Sequence, residues 1–256
     1  MNVRNNIASL LFSLSALTSS CSNSSSGFIY DPTSYSQQGQ SVSFGVEDTF
    51  DVNDNFLKKK TIDDLVSSIV IARDGGIRGS GVVLFDKEQQ TYFILTCPHI
   101  INPEGGYVLQ IEDEETIYGT AALTKIDHEH DLALLTMDGT LPFYFHGRVA
   151  EELPLGAYGM GVGYPAPEKI MLVDGRVAMT PFSKESGKST TQIIEATINP
   201  GESGGGFFLF RRGIPYLGGL MEGYFSGEHF RQAGILVNNQ AIREFLKDTA
   251  LADDYL

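Results

Sequence analysis

The sequence is dominated by short β-rich runs that are separated by glycine, proline, asparagine and aspartate. Each run has the length and the β-branched or aromatic content of a strand, and the residues between them are typical of turns. The runs fall into two sets of about six, separated near residues 139–155. The pattern predicts an all-β chain of two small barrels, over about residues 65–140 and about residues 155–238. The spacing of Ile242, Phe245 and Leu246 predicts a short closing helix over about residues 240–248.

The length and charge of the chain narrow the classes of function. A chain of 256 residues can bury a substantial core. Its 18 basic and 32 acidic side chains give a formal net charge of -14. A protein that binds nucleic acid needs a basic face, so nucleic acid is not expected as a partner.

Residues 1–21 have the order of a signal peptide. Arg4 precedes the mostly apolar stretch 7–17, and small residues then lead to Cys21. A cysteine at this place is where a bacterial lipoprotein is cut and lipidated. We therefore predict an exported protein of the bacterial cell envelope, attached to the membrane on the periplasmic side through a lipid on Cys21. A plain secreted protein is the alternative.

Residues 22–60 are rich in serine, glutamine, asparagine and aspartate, which predicts a flexible tether. Thr61, followed by Asp63 and Asp64, is typical of a helix start, so the folded domain is expected over residues 61–250. The chain has two cysteines, Cys21 and Cys97. Lipidation or removal of Cys21 would leave the mature protein without an intramolecular disulfide.

A glycine-rich loop with a single serine, Asn199 to Gly206, follows the apolar run that ends at Ile198. Glycines let a substrate carbonyl approach the backbone, and the N–H groups of Gly201 and Ser203 are candidates to stabilise an oxyanion. A serine hydroxyl becomes a nucleophile only when a histidine takes its proton and an acid orients that histidine. By itself the loop is equally consistent with a flexible turn.

The chain has five histidines. His99 lies just after an apolar strand, from which Cys97 and Pro98 separate it. Asp131 begins the apolar run 132–135, where a half-buried carboxylate needs a partner such as an imidazole N–H. Asp127 is the competing acid, but it lacks a following apolar run. His128 and His130 would share one face of a strand and allow a metal site, although a solvated loop is favoured there.

Four motifs together resemble the trypsin-like serine proteases. They are Gly79-Ser80-Gly81, Leu95-Thr96-Cys97-Pro98-His99, Asp131-Leu132-Ala133-Leu134-Leu135 and Asn199-Pro200-Gly201-Glu202-Ser203-Gly204-Gly205, and they are most similar to the bacterial high-temperature-requirement (HtrA/Deg) branch. The resemblance covers about residues 61–247. It implies two six-stranded antiparallel barrels, with His99 as general base, Asp131 as its orienting acid, Ser203 as nucleophile, and Gly201 and Ser203 as the oxyanion hole. PDZ domains, common in that branch, are not expected in this chain.

The resemblance also implies where a substrate side chain would bind. Thr197 corresponds to the floor of the primary specificity pocket, which favours small or apolar side chains, and Glu222 lies on the strand beside it. Cys97 is expected to be a small buried residue beneath the site. Glu202 departs from the aspartate or asparagine usual before the serine, and Gly206 departs from the usual proline.

The sequence thus predicts an exported serine endopeptidase that acts on protein or peptide substrates through an acyl-enzyme, without a metal or other cofactor. Its oligomeric state is not determined by the sequence. Two alternatives stay open. One is a catalytically silent or partner-activated envelope protein that binds peptides on the same fold. The other is a metal-dependent hydrolase that uses His99, His128 and His130.

Overall fold

The computed structural model of the protein describes residues 28–29, 55–74, 76–102, 108–166, 169–179, 191–227 and 230–256. Cys21, the predicted signal peptide and most of the predicted tether lie outside these residues. The strands in chain order are β1 (Phe28–Ile29), β2 (Ile69–Asp74), β3 (Ile77–Asp86), β4 (Thr91–Thr96), β5 (Val108–Glu112), β6 (Ile117–Asp127), β7 (Leu132–Asp138), β8 (Arg148–Val149), β9 (Tyr158–Gly163), β10 (Met171–Val177), β11 (Thr191–Glu195), β12 (Gly206–Arg211), β13 (Ile214–Gly227) and β14 (Phe230–Asn238).

The strands form two closed antiparallel barrels. Strands β2 to β7 close in the order β2-β3-β4-β7-β6-β5. In the second barrel, β9 pairs with both β10 and β12, which closes the path β10-β11-β14-β13-β12. The short strands β1 and β8 extend this second sheet by pairing with β10 and β13. The predicted all-β fold of two six-stranded barrels is confirmed.

Alternation along the strands explains how each barrel is filled and how the two barrels pack. Successive strand residues point to opposite faces. In β3, Val83 belongs to the core inside the first barrel. Its neighbours Val82 and Leu84 belong to a separate core, which also contains Val162 and Phe208 of the second barrel. The core inside the first barrel is therefore separate from the interface between the two barrels, and that interface is itself a hydrophobic core.

Among the residues that the structure describes, three helices flank the barrels, and the first of them begins earlier than the sequence predicted. Helix α1 spans Asn55–Ser67 instead of starting at Thr61, so it includes the end of the predicted tether. Its extension is consistent with the good helix formers Leu57 and Lys58, while Leu65 anchors the helix in the core between the barrels. Helix α2, Asn239–Leu246, fits the predicted closing helix and is capped by Asn238, whose side chain accepts from the Ala241 N–H.

A third helix, α3 (Ala252–Tyr255), lies beyond the predicted end of the domain at residue 250. Tyr255 is buried, and its hydroxyl accepts from the Phe85 N–H at 2.8 Å and donates to the Phe145 carbonyl at 3.1 Å. The described C-terminal residues are therefore part of the fold. Within the described ranges, none of the three helices has the length and apolar character that a membrane crossing requires.

Candidate active site

His99 and Asp131 meet at the end of the first barrel. Strand β4 pairs with β7 so that Thr96 lies opposite Ala133, and this register brings the residues after β4 beside those before β7. His99 lies in a short 3-10 turn, Pro98–Ile100, which directly follows Cys97. Its Nδ1 is 2.7 Å from Asp131 Oδ2. The His99 side chain is 43% exposed and that of Asp131 24%, so the pair faces solvent at the barrel edge.

A tight turn before β7 presents Asp131 to His99. The Asp127 carboxylate accepts from the Glu129 and His130 N–H groups and lies 2.5 Å from His130 Nδ1. Asp131 then adopts a φ of 55°, a left-handed conformation that aspartate tolerates better than most residues. The two acids therefore have separate partners. Asp127 orients His130 and holds the turn, while Asp131 contacts His99.

The serine loop requires glycine at two positions. Gly201 has a φ of 100° and Gly204 a φ of 85°. A Cβ on Gly204 would lie 2.1 Å from both the Ser80 carbonyl oxygen and Thr96 Oγ1. The loop thus approaches the first barrel too closely for any larger residue. This close contact brings the loop carrying Ser203 onto the barrel that carries His99.

Ser80 on β3 is the main polar link between the two barrels at this site. Its N–H donates to the Ser203 carbonyl at 2.7 Å, and its hydroxyl donates to the Gly201 carbonyl at 2.8 Å. The same hydroxyl accepts from the Tyr164 N–H at 2.8 Å. Ser80 is fully buried. Ser80 was predicted only as part of a motif, and its one sign in the sequence is a polar side chain between two glycines inside an apolar strand.

The buried Glu202 side chain stabilises the serine loop through hydrogen bonds with Asn199. The Glu202 N–H donates to the Asn199 carbonyl at 3.1 Å, and the Asn199 N–H donates back to Glu202 Oε2 at 2.5 Å. The side chain is 0% exposed, and its second oxygen, Oε1, has no partner among the described groups. Burial raises the pKa of Glu202 to about 7, against the smaller opposing effect of the Asn199 hydrogen bonds.

The Gly201 and Ser203 N–H groups are oriented by the carbonyls that precede them. The Pro200 carbonyl accepts from the Ala166 N–H at 2.8 Å, and the Glu202 carbonyl accepts from the Gly205 N–H at 2.9 Å. In a trans peptide the N–H points away from the carbonyl, so both N–H groups point away from these partners. Neither donates a backbone hydrogen bond to another described residue, as an oxyanion site requires.

The Ser203 hydroxyl donates to the Glu222 carbonyl at 3.0 Å, so β13 borders the serine directly. Farther along the same strand, Tyr224 pairs with Gly234 of β14. A Cβ on Gly234 would lie 2.7 Å from Ile198 Cδ1, so the buried Ile198 side chain packs closely against this glycine. Thr197 precedes Ile198 in the segment between β11 and the serine loop, and it is half-buried. The segment that leads into the serine loop therefore packs against β14 through Ile198.

Cys97 is fully buried beside the His99 and Asp131 pair. Its Sγ lies 3.7 Å from the Met221 carbonyl oxygen, which also accepts the Gly204 N–H at 2.8 Å. Among the described residues, Cys97, His99 and Asp131 form the one group of three side chains whose potential ligand atoms are close enough to hold a metal ion. His128 and His130 are not part of it, which disfavours a metal-dependent hydrolase built on them.

The chain matches a family model described as a trypsin-like peptidase domain over residues 79–213. No curated protein matches the sequence significantly. Among solved structures it is similar to the Rv3671c protease of M. tuberculosis in its inactive form, at 18% identity and a TM-score of 0.60, covering 76% of this chain and 94% of that chain.

Two further structures have similar scores. The serine endoprotease from Yersinia pestis is 22% identical with a TM-score of 0.59, and the match covers 77% of this chain and 67% of that chain. The HtrA-type protease AlgW, solved with a tripeptide, is 20% identical with a TM-score of 0.59, and the match covers 75% of this chain and 62% of that chain. At these identities the similarity establishes the fold.

Proposed function

The chain belongs to the trypsin-like peptidase family and is a serine endopeptidase, and from this premise we propose that Ser203, His99 and Asp131 carry out the reaction through an acyl-enzyme. The observation that carries the proposal is the 2.7 Å contact between His99 Nδ1 and Asp131 Oδ2 at the edge of the first barrel. The glycine-rich loop that carries Ser203 packs against the same barrel through Ser80.

In the proposed reaction, His99 accepts the Ser203 proton as the hydroxyl oxygen attacks the peptide carbonyl. The hydroxyl first turns from the Glu222 carbonyl, to which it donates, toward the imidazole. Asp131 holds the His99 ring through Nδ1 and stabilises the imidazolium that forms. His99 then protonates the leaving amine, and water repeats the cycle to release the acid.

The Gly201 and Ser203 N–H groups would hold the oxyanion of the tetrahedral intermediate. Support comes from the carbonyls of Pro200 and Glu202, whose hydrogen bonds fix the orientation of these two peptide units. Such donors act where charge develops in the transition state, and loss of one typically costs about 3 kcal/mol, or about a hundredfold in rate.

Small or apolar substrate side chains are proposed for the position before the cleaved bond. Thr197 would lie at the base of the binding pocket, next to Ile198, whose buried side chain packs against Gly234. Glu222 would border the substrate through its backbone, because its carbonyl is the group that accepts from the Ser203 hydroxyl.

Export to the cell envelope, with a lipid on Cys21, is also part of the proposal. It rests on the charged start, the apolar stretch 7–17 and the small residues before Cys21. Labelling of cells with a radioactive fatty acid tests it. Label in the wild type that is lost in a Cys21→Ser variant supports lipidation, whereas equal label in both proteins, or none in either, contradicts it.

Peptidase activity is tested with a pool of peptides of diverse sequence, whose products are identified by mass spectrometry. The Ser203→Ala and His99→Ala variants should each lower kcat/KM by several orders of magnitude. His128→Ala is the matched control, because His128 is exposed and lies outside the site, and it should keep the wild-type rate. Cleavage that persists in both site variants would contradict the assigned roles. A folded wild type that cleaves no peptide would favour the silent peptide-binding alternative.

A further inference from the structure

A cysteine, a histidine and an aspartate converge within the candidate active site. One potential ligand atom from each of Cys97, His99 and Asp131 lies within 4.8 Å of those of the other two. The three residues are held by rigid elements. Cys97 and His99 flank Pro98 at the end of β4, and Asp131 leads into β7, the strand paired with β4. A thiolate, an imidazole and a carboxylate together are a donor set that zinc prefers.

The surroundings of the thiol favour a cation. Cys97 is 0% exposed, and its Sγ lies 3.7 Å from the Met221 carbonyl oxygen. A potential ligand atom of Asp131 lies within 4.8 Å of the same sulfur, so a carboxylate also faces it. A divalent cation at this place would be attracted by these oxygens. The exposed side of His99 gives such an ion a route from solvent.

We propose that Zn²⁺ binds between Cys97 Sγ, a ring nitrogen of His99 and a carboxylate oxygen of Asp131, with water as its fourth ligand. On binding, the sulfur–zinc bond replaces the S–H bond, and the thiol proton leaves to solvent. No electron transfer takes place, since zinc has no redox chemistry in proteins. The His99 and Asp131 side chains adjust to admit the ion between them, because they are now in direct contact at 2.7 Å.

Zinc at this site inhibits the peptidase, a consequence that rests on the proposed function. If the metal takes His99 Nδ1, the proton on that nitrogen moves to Nε2, and the contact with Asp131 that orients the ring is lost. If it takes Nε2, it occupies the atom that would accept the Ser203 proton. Either choice stops proton transfer. Replacement of Cys97 should therefore make the same active site resistant to zinc.

Metal binding can be tested without peptidase activity. The test protein is the full chain with Ser203→Ala and Cys21→Ser, in which Cys97 is the remaining thiol. Titration calorimetry with Zn²⁺ alone should give one site, and Co²⁺ should give a near-ultraviolet thiolate-to-cobalt absorption. Adding Cys97→Ala should abolish the absorption and weaken zinc binding at least about a hundredfold, since even an outer partner of a metal ligand is worth about 10- to 100-fold in affinity.

Two further variants separate a built site from zinc on surface histidines. His128→Ala should leave zinc binding unchanged, because His128 is exposed and outside the cluster. Cys97→Ser is nearly isosteric, so a loss of the cobalt absorption in the folded Cys97→Ser variant reports loss of the sulfur ligand rather than a packing defect. Absence of a one-to-one site, or binding that both Cys97 variants retain, would overturn the proposal.

The inhibitory consequence is measured on the Cys21→Ser enzyme with Ser203 intact. Zn²⁺ should abolish peptide cleavage and a chelator should restore it, and the Cys97→Ala form, compared with its own metal-free rate, should need at least tenfold more zinc. Equal zinc sensitivity of the two forms would overturn inhibition through this site. Cobalt binding in a protein that cleaves no peptide would uphold the metal site while refuting the proposed function.

Discussion

Replacing Glu202 with glutamine should remove a pH-dependent loss of stability. Burial raises the pKa of this carboxyl from 4.5 to about 7 in the folded protein. The folded state therefore favours the protonated form of the Glu202 carboxyl over the ionised form. Between these two pKa values the unfolded carboxyl ionises while the folded one keeps its proton, so the free energy of unfolding falls as the pH rises. The loss is complete above pH 7.

The size of this loss follows from the difference between the two pKa values. One pKa unit corresponds to about 1.4 kcal/mol, so a rise from 4.5 to about 7 costs about 3 kcal/mol of stability at pH 8 relative to pH 4. Glutamine at position 202 can still accept from the Asn199 N–H, but it cannot ionise. Its unpaired amide would change stability equally at every pH, so the pH dependence isolates the carboxyl.

The assay is urea unfolding of wild type and Glu202→Gln at a series of pH values from 4 to 8. The difference between their free energies of unfolding should change by about 3 kcal/mol across the series, in favour of the variant at high pH. Glu195→Gln is the matched control, since Glu195 is an exposed acid near the same loop, and its difference should stay constant. If the Glu202→Gln difference is equally constant, the carboxyl is not held in a desolvated site and the reasoning fails.

Three other substitutions test separate parts of the structure. Ser80→Ala should cost about 1–3 kcal/mol in urea unfolding and lower kcat/KM, because it leaves the Gly201 carbonyl without its hydroxyl donor. Asp131→Asn should lower kcat by about 10⁴ in steady-state assays, through loss of the correct His99 tautomer. Tyr255→Phe should cost about 1–3 kcal/mol in urea unfolding, since its hydroxyl makes two hydrogen bonds to the first barrel and the segment after it.

Controls decide how each result is interpreted. Ser67→Ala, at an exposed position on α1, should leave kcat/KM unchanged, and an equal loss of activity there would remove the special role of Ser80. Asp127→Asn should reduce kcat far less than Asp131→Asn, because its carboxylate contacts His130. The reverse order would show that Asp127 is the orienting acid. A Tyr255→Phe variant as stable as wild type would show that the C-terminal helix is not needed by the barrels.

Local patterns in the sequence were enough to predict most strands. They also marked the candidate site residues, whose catalytic roles stay a prediction. The apolar run 132–135 and the turn residues before it mark both a buried strand and the acid at its start. Strand β8, with two residues, has no periodicity to detect. Helix α1 extends into a stretch whose polar composition resembles a tether. The local sequence did not predict this extension, because the helix is anchored through Leu65 in a core made by distant residues.

The supports of the site could not be predicted in the same way, since they depend on contacts between distant segments. The hydrogen bond from Ser80 to Gly201 joins residues 121 positions apart. Glu202 stands in the sequence as an ordinary acid in a glycine loop, and only the fold shows that its side chain is turned inward and buried. The contact of Cys97 with the His99 and Asp131 pair likewise follows from the register between β4 and β7.

The central claim is that His99 activates Ser203, and labelling with a fluorophosphonate probe tests it most directly. The folded wild type should be modified once, with the probe located on Ser203 by mass spectrometry, and both Ser203→Ala and His99→Ala should abolish the modification. His128→Ala should be labelled as wild type. Labelling at another residue, or labelling of Ser203 that is unaffected by His99→Ala, would contradict the account.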